Sequence, residues 1–114
     1  MTAPERMRRV DEAMREVLSD AITVDLKDPR VGFVTVTSVD TSSDLRHARV
    51  YVSVLGDDKR RTLSLQALES AHGYLQRRVA AQLRLKHTPQ LTVVYDDTAA
   101  RADRVERLLG GEGA

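Results

Sequence analysis

Eight consecutive residues, Ala48 to Leu55, read ARVYVSVL, so that Ala48, Val50, Val52 and Val54 fall on one side while Arg49, Tyr51 and Ser53 fall on the other. Successive side chains of a strand point to opposite faces, so the run predicts a strand with one dry face and one wet one. Such a strand cannot stand alone: its backbone must be paired and its apolar face covered. The run Val31 to Val39, VGFVTVTSV, is equally rich in β-branched residues and is separated from it by the polar stretch Asp40 to Asp44. It predicts an antiparallel partner. In that partner Val34 and Val36 face opposite to Phe33 and Val39, and the sequence does not decide which side is inside.

Helices supply the cover. From about Pro4 to Val24, Met7, Val10, Met14, Val17, Leu18, Ala21 and Ile22 recur at three- and four-residue intervals, the spacing of one helical face. Thr2 and Glu5 stand in capping-box spacing with Pro4 in the first turn, and Asp28-Pro29 ends the element because proline drives the preceding residue from helical angles. Beyond Gly56-Asp57-Asp58, Leu63, Ala67 and Leu68 predict a second helix as far as Ala71-His72-Gly73, and Leu75, Val79, Leu83 and Leu85 continue another stripe. Gly73, between the two phases, predicts a bend or a close approach of backbone. Pro89 closes that segment, Leu91 to Tyr95 predicts a third strand, and Val105, Leu108 and Leu109 predict a short last helix.

The order is helix, strand, strand, helix, bend, helix, strand. It predicts an α+β domain with a three-stranded sheet and its helices packed on one face. With 114 residues, 41% hydrophobic and 31% charged, one core is expected over residues 1–109, followed by a flexible glycine-rich tail at 110–114. The absence of cysteine excludes disulfides, a thiolate nucleophile and Cys-ligated metal. No run approaches the ~20 apolar residues of a membrane span, so a cytoplasmic protein without membrane contact is expected.

The net charge of +1 conceals an uneven distribution. Residues 59–95 carry Lys59, Arg60, Arg61, Arg77, Arg78, Arg84 and Lys86 against Glu69 alone, a local balance of +6, whereas the remainder holds eleven basic and sixteen acidic residues. A basic face on an otherwise acidic chain points to a polyanionic partner.

The ordered series Asp28-Pro29-Arg30-Val31, Thr35-Val36-Thr37-Ser38-Val39, Ser43-Asp44-Leu45 and Ala48-Arg49-Val50-Tyr51-Val52-Ser53 resembles the first half of the ribosome-binding factor A family. In the second half Ala71-His72-Gly73 is similar to that family's Ala-x-Gly helix kink. Leu83-Arg84-Leu85-Lys86-His87-Thr88-Pro89-Gln90-Leu91, followed by Tyr95-Asp96-Asp97, is similar to its approach through the third strand. The resemblance covers roughly residues 6 to 109. It implies a KH-like domain of type II order and a ribosome-assembly factor, not an enzyme. Such a factor binds the free small ribosomal subunit and its rRNA, supports late maturation and processing of the rRNA 5′ end, and matters most in the cold. An ordinary KH domain clamps nucleic acid with a Gly-x-x-Gly loop, and this chain has Gly73 alone there, with Ala71 two positions before it. A different rRNA contact around the kink is therefore implied.

The candidate rRNA-binding residues are Arg77, Arg78, Arg84 and Lys86, together with Lys59, Arg60 and Arg61. Charge runs are usually solvated faces, but the lack of any acid between Ser70 and Tyr95 favours phosphate contact for the first four. The second group either contacts RNA or caps and solubilises a helix start. Arg30 can contact RNA or pair with Asp28. Tyr51, Tyr74 and Tyr95 are expected in core or half-core positions. His47, His72 and His87 lack metal-ligand spacing, and Asp96-Asp97 has no nucleophile or histidine partner beside it, so neither metal, cofactor, small-molecule substrate nor catalytic residue is expected. A monomer is expected for want of a heptad seam. The alternative function is a protein–protein adaptor without direct RNA contact.

Overall fold

Thr2 starts the first helix as its spacing predicts: Thr2 Oγ1 accepts from the Glu5 N–H at 3.3 Å and the Glu5 carboxylate accepts from the Thr2 N–H at 3.4 Å. The computed structural model describes residues 2–97. Helix α1 spans Ala3–Asp20 and buries Met14, Val17 and Leu18. It does not run unbroken to Val24. One π-helical turn, Ala21–Asp25, continues it, burying Ala21 and Ile22 before Leu26 becomes extended. The extra residue in that turn shifts the phase of the helical face, which brings Asp25 beside the third helix. The Asp28-Pro29 turn follows, closed by Asp28 Oδ1 accepting from the Arg30 N–H at 2.9 Å.

Strands β1 (Phe33–Thr41), β2 (His47–Leu55) and β3 (Gln90–Tyr95) form one sheet in the order β1-β2-β3. The first pair is antiparallel and the second parallel. In β2, Ala48, Val50, Val52 and Val54 are buried, as the alternation requires. The expectation that Val39 faces opposite to Val34 and Val36 is corrected: all three are buried on one face. A bulge between Val36 and Ser38 is the reason, since one unpaired residue at Thr37 reverses the phase of everything after it.

A parallel β2–β3 pair needs a long crossover, and helices α2 (Asp58–Ser70) and α3 (His72–Gln82) provide it. Asp57 caps α2 by accepting from the Arg60 N–H at 2.8 Å. Ser64 is fully buried in α2, where its hydroxyl donates to the Arg30 carbonyl and accepts from the Gly32 N–H, tying α2 to the turn before β1. The helical stripe expected through Leu83 and Leu85 stops at Gln82, because Leu83 adopts strand-like angles of −112° and 121°. Met14 and Leu18 of α1, Leu68 of α2 and Leu75 and Val79 of α3 all press on the same valine-rich sheet face, so the helices lie on one side. Val105, Leu108 and Leu109, expected as a last helix, and the tail 110–114 lie outside the described residues.

Candidate nucleic-acid interface

The chain turns between α2 and α3 at Ala71, whose φ of −89° and ψ of 6° leave the helix while its N–H still bonds back to the Ala67 and Leu68 carbonyls. The bend thus falls at Ala71, the first residue of the expected Ala71-His72-Gly73 kink, and not at Gly73 itself. Gly73 lies in the first turn of α3, is exposed, and does not have the positive φ that favours glycine. A Cβ built there meets only the Arg77 guanidinium, at 3.4 Å. Among the described residues only that movable guanidinium end borders the space that glycine leaves open.

His72 and Gln76 anchor this junction. The His72 Nε2 donates to the Leu91 carbonyl at 2.9 Å, while the Gln76 amide donates to the Pro89 carbonyl at 3.1 Å and accepts from the Leu91 N–H at 2.6 Å. Leu91 turns both main-chain groups away from β2, so these side chains occupy the place of a fourth strand and fix α3 against the sheet edge.

The seven candidate cations divide by what holds them. Arg77 is exposed on α3, and Arg84 and Lys86 are exposed in the extended loop after it, where they alternate with the half-buried Leu83 and Leu85. Only Arg77 and Arg78 thus stand on the helix itself. Among the described residues Arg77, Arg84, Lys86 and Lys59 take part in no ion pair. Arg78 is different: half-buried, it donates to the Asp25 carboxylate, which also accepts from the Tyr74 hydroxyl.

Lys59, Arg60 and Arg61 begin α2, twelve to ten residues before Ala71, which places them about 15–18 Å along the helix from the junction. Arg60 lays its aliphatic stem beside Gly32 and Gly56, so close that a Cβ on either glycine would meet it at 2.9 Å. Arg61 covers the Tyr95 ring at 4.8 Å and pairs with Asp58 at 3.1 Å. The Tyr95 hydroxyl first, and the Asp58 charge second, hold its guanidinium above the usual arginine range. The structure therefore separates the two basic groups that the sequence set side by side.

Arg30 pairs with Asp28 at 2.6 Å, and its side-chain hydrogen bonds hold that carboxyl below the usual carboxylate range. Tyr51, Tyr74 and Tyr95 are all half-buried. A shallow groove between α2 and the free edge of β3, lined by Leu65, Glu69, His72, Val93 and Tyr95, opens beside the junction. Among the described residues no group of three or more His, Asp or Glu is placed to hold a metal ion, and no helix is long and apolar enough to cross a membrane. What the arrangement offers is charge, an exposed backbone turn and shape.

Asp25 and Gln76 escaped the sequence reading. Asp25 lies just past the helical stripe that ends at Val24, and its partners lie 49 and 53 residues away. Only the π-turn, which no periodicity announces, brings them together. Gln76 left no signal beyond its place between Leu75 and Arg77 on a helix face.

A family model for ribosome-binding factor A matches residues 6–109. A protein named ribosome-binding factor A from Anaeromyxobacter sp. (strain Fw109-5) is 49% identical over 110 residues, covering 96% of this chain and 90% of that one. The crystal structure of ribosome-binding factor A from Thermus thermophilus superposes with a TM-score of 0.70 at 26% identity, over 78% of this chain and 94% of that one. A Thermus thermophilus ribosome-binding factor A fitted into a cryo-EM map of its 30S complex is also similar, with a TM-score of 0.59 and 28% identity over 72% of this chain and 86% of that one.

Proposed function

The chain belongs to the ribosome-binding factor A family, and on that premise we propose that it binds the free small ribosomal subunit through its rRNA, using the surface that follows the α2–α3 bend. The observation that carries this reading is the contrast among the cations. Arg78, Arg61 and Arg30 are spent on Asp25, Asp58 and Asp28, whereas Arg77, Arg84 and Lys86 stand exposed around one turn and its following loop. Phosphates reward cations of the second kind, because each contact releases condensed counterions and needs no internal ion pair to be broken.

The element order helix, strand, strand, helix, helix, strand fits a KH-like domain of type II order. In place of a Gly-x-x-Gly clamp, the open space at Gly73 lets a sugar-phosphate backbone approach the first turn of α3, with Arg77 beside it. Lys59 and the start of α2 extend the contact to a second point some 18 Å away along the helix. The protein performs no chemistry. As a monomer in the cytoplasm it holds one rRNA conformation in preference to another, and differential affinity for the immature subunit is the source of any such shift. Late maturation, processing of the rRNA 5′ end and growth in the cold are the steps this preference supports.

The test is co-sedimentation of the purified protein with free small subunits, immature and mature, across a salt series. Stronger binding to immature subunits that falls steeply with salt is the expected result. Binding that is indifferent to salt would favour an adaptor docking on ribosomal protein instead.

A further inference from the structure

The outer edge of β3 is only partly closed. Gln90 and Asp96 both turn their N–H groups to β2, donating to the Arg46 and Val52 carbonyls, so by the alternation of a strand Leu91, Val93 and Tyr95 turn their main-chain groups outward. Those of Leu91 are taken by Gln76 and His72. Among the described residues nothing bonds to the outward N–H and C=O groups of Val93 and Tyr95. Such a row of alternating donors and acceptors is a template for another strand, which natural edges ordinarily blunt. This fold blunts it at Leu91 and leaves it open two residues later.

The groove beside α2 runs along that open stretch. Its volume is about 560 Å³, and α2 supplies the far wall through Leu65 and Glu69, with His72 at the junction end. Leu65, Val93 and Tyr95 are half-buried there. Glu69 is exposed, takes part in no ion pair among the described residues, and is the one acid in the otherwise basic run 59–95. The cation at the Tyr95 end, Arg61, is already engaged, since it pairs with Asp58 and lies over the Tyr95 ring. The unopposed charge lining this groove is therefore the Glu69 carboxylate.

Main chain and charge together select the occupant. An extended polypeptide offers N–H and C=O groups in the alternation that Val93 and Tyr95 present, whereas a sugar-phosphate backbone has no row of N–H groups for their carbonyls and is repelled by Glu69. Residues two apart in a strand share a face at about 6.8 Å, close to the roughly 6 Å that separates Glu69 from Leu65 along α2. We infer that the β3 edge takes up an extended, basic segment of another protein as a fourth strand. One side chain of that segment packs on Leu65 and Val93, and a lysine or arginine two residues away meets Glu69. This surface is distinct from the cations assigned to rRNA, and neither assignment needs the other.

The purified full chain and a short labelled peptide, with a central Val-x-Lys in a serine- and threonine-rich background, test this without any ribosomal subunit. Fluorescence anisotropy should show saturable binding, and the amide NMR signals of Val93 and Tyr95 should shift and exchange more slowly with solvent. Methylating alternate peptide amides should weaken binding about tenfold in the phase that faces β3 and little in the other, because only the first removes ladder hydrogen bonds. Glu69→Lys, a change at an exposed residue, should weaken it about threefold or more, and a peptide with glutamate in place of lysine should bind that variant again. No saturable binding up to about 1 mM would overturn the inference. So would binding that is indifferent to amide methylation and to Glu69→Lys. An oligouridylate that moves the Val93 and Tyr95 signals where the peptide does not would overturn it as well, by giving the groove to RNA.

Discussion

Replacing Gly73 by alanine separates what the fold requires from what binding requires. The residue sits in the first turn of α3 without a positive φ, so alanine fits its backbone angles. The added methyl meets only the Arg77 guanidinium at 3.4 Å, an ordinary contact with the movable end of a long side chain. With no steric cost, the remaining effect is the entropy that glycine loses in a helix, about 0.5–1 kcal/mol in favour of alanine. For a domain of this size that raises the melting temperature by about 2–8 °C. Binding should move the other way. If an rRNA backbone rests against Gly73, a methyl there displaces it, and a tenfold loss of affinity corresponds to about 1.4 kcal/mol. Thermal unfolding by circular dichroism and co-sedimentation with small subunits give the two numbers on one preparation. A lower melting temperature for Gly73→Ala would refute the structural reasoning, and a stabilised variant with undiminished binding would remove Gly73 from the interface.

Three further outcomes are expected. Arg78→Gln, which strips the Asp25 carboxylate of its cation, should cost about 1–3 kcal/mol in chemical denaturation, whereas Arg77→Gln should leave stability unchanged. Leu68→Ala empties a fully buried site under the sheet and should cost about 2–5 kcal/mol by the same assay. Acid should weaken the fold in a defined direction. Asp28, through the Arg30 side chain, and Asp44, through the Ser42 hydroxyl and then the Arg46 N–H, are held below the ordinary carboxylate value, so their contributions are full above that value and vanish as pH falls through the lowered one. Melting temperature measured from about pH 6 to pH 2 should therefore fall less steeply in Asp28→Asn/Asp44→Asn than in the parent.

The fold was legible wherever period and punctuation coincided. The strict alternation of β2, the Thr2–Glu5 cap and the Asp28-Pro29 turn each carry their signal within a few residues, and each stands where the sequence placed it. Three features were not legible. The β1 bulge and the π-turn before Leu26 are each a one-residue change of phase, and the end of α3 at Gln82 is a change of period from helix to extended chain. Periodicity cannot register such a change when it leaves residue types unaltered. The candidate site suffered similarly. The sequence grouped Arg77 with Arg78 by adjacency, yet a helix turns consecutive residues about 100° apart, so one points to water and the other to Asp25. Likewise Arg61 reads as one of three cations that contact RNA or cap a helix start, and it lies over the Tyr95 ring.

The most direct test of the proposed interface is the salt dependence of small-subunit binding for Arg77→Glu/Arg84→Glu/Lys86→Glu beside the parent chain. All three side chains are exposed and unpaired among the described residues, so the variant should melt with the parent. Binding should fall and the slope of log affinity against log salt should flatten by about 2–3, one step for each lost phosphate contact. A folded variant with the parent's affinity and slope would contradict the account and move the rRNA contact away from the α2–α3 bend.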